Sequence, residues 1–188
     1  IGIGSEGRLY SLNRGGAEHL VSIWRFNWDE EDHGQIGAFG TGNGQFKSPV
    51  NLILDREENL YVSDEALHRI VILDREGNSL GQWGEFGDGE GQLNRPSGIA
   101  FDADDNMYVA DTLNHRVQQF TKDGRFLSTW GTFGDGEGHL NMPWGVTVDE
   151  LGDVYVADWR NDRIQKFSHD GRFVFAFGSS GEGDGQFN

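Results

Sequence analysis

The sequence predicts an all-β fold built from four similar units. Equivalent residues recur every 47 positions, and three of the units contain no insertion or deletion between Phe46 and Phe187. The repeat relates Pro49, Pro96 and Pro143, and likewise Tyr61, Tyr108 and Tyr155. Each unit holds four strand-sized segments separated by turn residues, and four strands per 40–50 residues is typical of a β-propeller blade.

The middle unit shows the four predicted strands most clearly. We place them at Gly98–Asp102, Asn106–Asp111, His115–Thr121 and Arg125–Gly131. Tight turns are expected at 104–106 and 122–124, because Asp, Asn and Gly tolerate turn dihedral angles. Alternation within the second segment puts Tyr108 and Ala110 on one face, and Met107 and Val109 on the other. Short alternating strands with such dense turn signals indicate antiparallel sheets rather than βαβ units.

The repeat also predicts the domain organisation. We expect a single propeller region over residues 1–188, with units at about 1–48, 49–95, 96–142 and 143–188. The first unit is degenerate and carries seven extra residues. Four blades suggest either part of a six-bladed ring or an oligomeric assembly. A solenoid is the weaker alternative, because four-stranded units of this kind pack radially.

The repeat resembles the NHL family. In the middle unit it reads P-x-G-I-A-x-D-x-x-x-N-x-Y-V-A-D-x-x-N-x-R-V-Q-x-F. The residues that carry the resemblance are Pro96, Gly98, Asp102, Asn106, Tyr108, Val109, Asp111, Asn114, Arg116, Val117, Gln118 and Phe120. The unit from Pro143 matches as well, whereas the unit from Pro49 departs at Asn51 and Leu67. The resemblance implies a β-propeller, commonly of six blades, and implies no single activity.

Charge and composition exclude several classes of partner. The chain has 31 Asp and Glu against 15 Lys and Arg, a formal net charge of -16. Phosphate backbones call for a basic surface, so we expect no nucleic acid partner, and an anionic membrane surface is equally unfavourable. There is no cysteine, which excludes disulfides and Cys metal sites. No apolar run approaches the roughly 18 residues that span a membrane.

Several acidic residues recur in every regular unit. Asp64, Asp111 and Asp158 stand five residues before Arg69, Arg116 and Arg163. A ring of metal ligands is one interpretation, but we favour carboxylates that hold loop amides or the arginine within or between blades. The acidic segments 88–90, 135–137 and 182–184 lack the ligand spacing of an EF-hand loop. We interpret them as links between blades, with weak cation binding as the alternative.

Three histidines are weak candidates for a metal site. His68 and His115 share one repeat position, and His19 lies in the corresponding loop of the first unit. Histidines on neighbouring blades could converge on a divalent metal. The fourth unit has Asp162 at this position, so we favour surface histidines in loops and predict no cofactor.

Four residues break the repeat and are the candidate binding residues. Trp144 replaces Ser97, and His139 replaces Gln92. Trp159 and Arg160 stand in place of the Thr-Leu and Glu-Ala pairs of the other regular units. In a propeller the loop after the second strand and the link between blades open on the same face, so we expect the four to share a face. Trp and Arg are enriched at binding hot spots. Alternatively, both tryptophans cover the central channel or pack against a neighbouring blade.

The sequence therefore favours a binding or scaffold module over an enzyme. The expected partner is a protein or a small neutral or cationic ligand recognised on one face. The alternative is a metal-dependent lyase or hydrolase with its site at the mouth of the channel. Exposed strand edges and apolar faces at both ends also predict self-association through the end blades.

Overall fold

The chain folds into four separate four-stranded antiparallel sheets, which confirms the predicted all-β class. The computed structural model describes residues 1–14, 21–27, 29 and 32–187. It divides into two compact units, Ile1–Phe86 and Gly87–Asn188, with two sheets in each. The domain prediction of one region over 1–188 stays a prediction. Within the described residues, no helix is long and apolar enough to cross a membrane.

The first unit contains sheets 1 and 2. Sheet 1 consists of β1 (Gly2–Ile3), β2 (Leu9–Asn13), β3 (Ser22–Phe26) and β4 (Asp32–Ile36). A short parallel pair follows, β5 (Ala38–Phe39) with β6 (Gln45–Phe46). Sheet 2 consists of β7 (Pro49–Leu54), β8 (Leu60–Asp64), β9 (Arg69–Leu73) and β10 (Ser79–Trp83). Each strand of a sheet pairs with its neighbour in sequence.

The second unit contains sheets 3 and 4. Sheet 3 consists of β11 (Pro96–Phe101), β12 (Asn106–Asp111), β13 (Arg116–Thr121) and β14 (Phe126–Trp130). Sheet 4 consists of β15 (Pro143–Val148), β16 (Val154–Asp158), β17 (Arg163–Phe167) and β18 (Phe173–Phe177). The four strands predicted for the middle unit agree with sheet 3 to within two residues at each end.

Turn chemistry explains where the strands end. Asp102 Oδ1 accepts hydrogen bonds from the backbone N–H groups of Asp104 and Asn106, at 2.9 and 2.8 Å. This Asx turn closes the hairpin between β11 and β12. At the next turn Gly124 has φ 90° and donates its N–H to the carbonyl of Thr121. A positive φ of this kind is cheap for glycine, so the turn signal identified the right residue.

Two sheets pack face to face in each unit. In the second unit Tyr108, Val117 and Leu140, which belong to sheet 3 and the link after it, form one buried cluster with Val154, Val156 and Phe167 of sheet 4. In the first unit Tyr10, Ile23 and Phe46 are buried in the same cluster as Leu52, Leu60 and Val62 of sheet 2. The two interfaces therefore use equivalent positions of the repeat.

Candidate functional site

The recurring aspartates hold links and loops together. Asp158 is completely buried, and its Oδ1 accepts a hydrogen bond from the backbone N–H of Asn141 at 2.6 Å. Its Oδ2 accepts from Asn161 Nδ2 and Arg163 Nε at 2.8 Å, and from Gln165 Nε2 at 3.0 Å. Four donors thus surround this carboxylate, as the structural interpretation of the repeat expected.

Asp111 has the same environment one repeat earlier. It accepts hydrogen bonds from Asn94 N, Asn114 Nδ2, Arg116 Nε and Gln118 Nε2. Burial raises the pKa of the Asp111 carboxyl, and the hydrogen bonds from Asn94, Asn114 and Arg116 oppose that shift. Asp64 accepts from the backbone N–H of Lys47, the counterpart of Asn94, and from the N–H groups of Ser48, Ala66 and Leu67 in place of side-chain donors. These aspartates are therefore structural groups.

The acidic segments are links that arginines hold through backbone carbonyls. Arg116 donates through Nη1 to the carbonyl of Asp88, and through Nη2 to the carbonyls of Gly89 and Gln92. Arg163 contacts the link between sheets 3 and 4 in the same way, at the carbonyls of Gly136 and His139. The guanidinium group thus ties each link to the sheet that follows it.

The described histidine candidates pack in loops. His115 has φ 55° at the end of the short 3-10 turn Thr112–Asn114, and its Nδ1 accepts a hydrogen bond from Met142 N at 3.1 Å. Its ring lies 4.8 Å from that of Phe133, and the ring of His68 lies 4.8 Å from that of Phe86. Burial lowers the pKa of His115, and the charge of Asp158 opposes that shift.

A metal site finds no support in the part of the chain that the structure describes. His19 lies outside the described residues. Among the others, no group of three or more His, Cys, Asp and Glu residues could hold a metal ion.

Three of the four candidate binding residues lie together. Trp144 lies on β15, and Trp159 begins the 3-10 turn Trp159–Asn161 that follows β16. Their rings meet edge to face with centroids 5.9 Å apart. The Arg160 guanidinium carbon lies 4.4 Å from the centroid of the Trp159 ring, within the range of a cation–π contact. The two rings are 38% and 47% exposed, so they present a partly open aromatic surface.

His139 makes its contacts within the link between sheets 3 and 4. Its Nδ1 lies 3.2 Å from the carbonyl oxygen of Glu137, and its own carbonyl accepts from Arg163 and Gln165. The repeat counterpart Gln92 accepts a hydrogen bond from Gly89 N with its side-chain oxygen, and so also closes its link. The assignment of His139 to a binding site stays a prediction.

A pocket of about 310 Å³ lies beside the tryptophan pair. Its lining residues are Trp144, Ala157, Trp159, Asp162, Arg163, Ile164 and Phe187. The sequence identified the two tryptophans because they break the repeat. It did not identify Ala157, Ile164 and Phe187, because these residues follow the repeat. Whether they line a pocket depends on whether another sheet covers them.

The repeat explains why this pocket is open. Ala110, Val117 and Leu140 occupy the positions of Ala157, Ile164 and Phe187 in the preceding repeat, and all three are fully buried. Ser97 and Thr112 occupy the positions of the two tryptophans. Both hydroxyls reach the following sheet, where Ser97 donates to the carbonyl of Trp144 and Thr112 to that of Pro143. The pocket wall is therefore a face of sheet 4. The equivalent face of sheet 3 is covered by sheet 4.

Repeated four-stranded antiparallel sheets linked in sequence define the β-propeller class. Residues 90–177, a little under half of the chain, match the family model described as the SMP-30/Gluconolactonase/LRE-like region. That family has six-bladed propellers and is related to the NHL repeat, and the NHL assignment itself stays a prediction. No curated protein sequence matches the chain.

Solved structures share the fold. A streptogramin B lyase is 13% identical with a TM-score of 0.71, over 94% of this chain and 53% of its own. A gluconolactonase from Xanthomonas campestris is 21% identical with a TM-score of 0.68, over 92% and 59%. A catalytically inactive virginiamycin B lyase from Staphylococcus aureus with quinupristin is 15% identical with a TM-score of 0.68, over 93% and 53%. The chain spans little more than half the length of these structures.

Proposed function

We propose that the chain supplies a small-molecule-binding face of a β-propeller, with Trp144 and Trp159 as its aromatic wall. The observation that carries the proposal is the pocket of about 310 Å³ beside a tryptophan pair that the other repeats lack. This volume lies at the lower end of the range for ligand sites, so the ligand portion held there is compact.

The lining residues suggest the chemistry of the ligand. Ile164 and Phe187 form an apolar wall of the pocket. The charged residues that line the same pocket are Asp162 and Arg163. Arg163 uses Nε and Nη2 for Asp158 and the preceding link, and Nη1 has no protein acceptor among the described residues. It would donate to a carbonyl or hydroxyl oxygen. The net charge of -16 favours a neutral or cationic molecule.

A second candidate function is lactone hydrolysis or lyase chemistry. It is supported by the family match over residues 90–177, which contains Trp144, Trp159 and Arg163. The fold likeness to a gluconolactonase and to streptogramin lyases supports the same alternative. This alternative names no catalytic residue, and no group of three or more His, Cys, Asp and Glu among the described residues could hold a metal ion.

Binding and turnover can be separated with three probes. Benzamidine is a planar cation, glucono-δ-lactone is a neutral lactone, and quinupristin is the compound bound to the inactive virginiamycin B lyase. We expect saturable binding of at least one probe by calorimetry, with a change in tryptophan fluorescence. Product formation that EDTA abolishes would favour the enzymatic candidate. Flat calorimetric titrations with all three probes would reject the binding proposal.

A further inference from the structure

The link between sheets 1 and 2 contains the one Asn-Gly pair of the sequence, Asn43 followed by Gly44. Asn43 is exposed, and its counterparts in the other three links are Glu90, Glu137 and Asp184. Asparagine is a labile residue, because the backbone nitrogen of the next residue can attack its side-chain carbonyl carbon. Glycine has no Cβ to shield that nitrogen. The first link therefore has a reactive pair where the other links have a carboxylate.

The first two links fold into the same turn, at residues 42–45 and 89–92. In each, the carbonyl of the first residue accepts a hydrogen bond from the N–H of the fourth at 3.2 Å. The side-chain oxygen of the fourth residue accepts from the N–H of the first, at 2.9 and 3.1 Å. The third residues, Gly44 and Gly91, have φ 70° and 77°. The two turns can therefore be compared atom for atom.

A buried glutamine holds the third residue of the turn in the second and third links. The backbone N–H of Gly91 donates to Gln118 Oε1 at 3.0 Å, and that of Gly138 donates to Gln165 Oε1 at 3.1 Å. Both glutamines are completely buried. Such a bond keeps the proton on the nitrogen and fixes its direction, so it opposes attack by that nitrogen on the preceding side chain.

Sheet 2 lacks this glutamine. It has Val71 at the position, paired with Val62 as Gln118 is paired with Val109. A valine side chain cannot accept a hydrogen bond. Within the part of the chain that the structure describes, the N–H of Gly44 has no hydrogen-bond acceptor. Its nitrogen is therefore available for the attack that the other links oppose.

We propose that Asn43 is a site of spontaneous deamidation, independent of any ligand. The nitrogen of Gly44 loses its proton to solvent and bonds to Cγ of Asn43. The Cγ–Nδ2 bond breaks, and the side-chain nitrogen takes up a proton and leaves as ammonia. Water then opens the cyclic imide at either carbonyl, which gives aspartate or isoaspartate. The product has a carboxylate in this link, as the other three links do.

The test compares two Asn-Gly pairs with the same local sequence. Glu90→Asn makes residues 89–92 read Gly-Asn-Gly-Gln, as residues 42–45 do, but Gln118 still holds the N–H of Gly91. In folded protein kept in mildly alkaline buffer, Asn43 should convert about fivefold faster than the asparagine introduced at position 90, the factor that one hydrogen bond contributes. Peptide mapping by mass spectrometry, which resolves the exchange of NH2 for OH, gives both rates in one sample. In urea-unfolded protein the two rates should be equal.

Val71→Gln supplies the missing acceptor and should slow the conversion of Asn43 in the folded protein by about the same factor. Asn43→Gln is the control and should remove the acidic product from this peptide. Circular dichroism checks that each variant is folded, and if Val71→Gln is unfolded the comparison within Glu90→Asn decides alone. An Asn43 that stays intact, equal rates at the two positions in the folded protein, or a difference that persists in urea would overturn the proposal.

Discussion

Arg163 donates through Nε to Oδ2 of Asp158 at 2.8 Å, while its Nη2 reaches two carbonyls of the preceding link. Arg116 and Asp111 form the same pair at the same distance one repeat earlier. Both carboxylates are completely buried. The pair therefore joins a sheet to the link before it, and its loss should lower the stability of the whole repeat.

Asp158→Ala should destabilise the chain strongly. The substitution leaves Asn161, Arg163 and Gln165 without their shared acceptor, and breaking a buried pair from one side typically costs about 3–5 kcal/mol. Urea unfolding followed by circular dichroism measures the loss. The control is Asp170→Ala, which removes an exposed ion pair with Arg172 and should keep nearly the wild-type midpoint. Equal midpoints for the two variants would contradict the structural role.

Gly98→Ala and Gly145→Ala form a matched pair at one repeat position. A Cβ at Gly98 would lie 2.6 Å from the carbonyl oxygen of Trp144 and 2.7 Å from the nitrogen of Val146. Because those atoms are backbone, we expect Gly98→Ala to cost about 1–3 kcal/mol. At Gly145 the nearest atom is Ala157 Cβ at 3.5 Å, so the isolated chain should tolerate alanine there.

Urea unfolding of the two alanine variants provides the measurement. A Gly98→Ala variant as stable as the wild type would show that sheets 3 and 4 do not pack as closely as described.

His115 should make stability fall with decreasing pH. Burial lowers its pKa in the folded state, so the unfolded chain takes up the proton more readily. Stability is then present above the ordinary histidine pKa of about 6.5 and is lost as the pH falls toward the folded-state value. His115→Asn, which tolerates the left-handed backbone at this position, should lose less stability between about pH 7.5 and 5.5. Identical pH dependence of the two urea midpoints would refute this.

Trp159→Ala should weaken binding of whichever probe binds, by at least tenfold, with little change in the thermal midpoint. Trp159 is nearly half exposed, so its removal costs little packing, whereas a hot-spot residue contributes about 2 kcal/mol or more. Trp24→Ala, which truncates a 36% exposed ring in sheet 1, is the control and should keep full affinity. A large drop in midpoint with intact binding would identify Trp159 as a packing residue.

The sequence predicted the features that depend on local chemistry. Turn residues and the constant period located β11 to β14, and repetition separated the structural Asp111 from the variable Trp144 and Trp159. An exposed apolar face on an end blade was predicted, but Ile164 and Phe187 could not be singled out as its pocket lining, because both residues follow the repeat. Only the three-dimensional packing distinguishes Ile164 from its buried counterpart Val117. His139 differs from the glutamine of the other repeats, but its side chain makes contacts within the link, as that of Gln92 does.

The hydrogen bonds around Asp111 all fall within one repeat length: Asn94 lies 17 residues away, and Gly89 lies 27 residues from Arg116. Each such network joins a sheet to the link before it, and the link takes part through backbone N–H and carbonyl groups. Because backbone groups are present whatever the side chain, an inserted or deleted repeat would offer its neighbours the same partners, so blade number could change without redesign of the remaining blades.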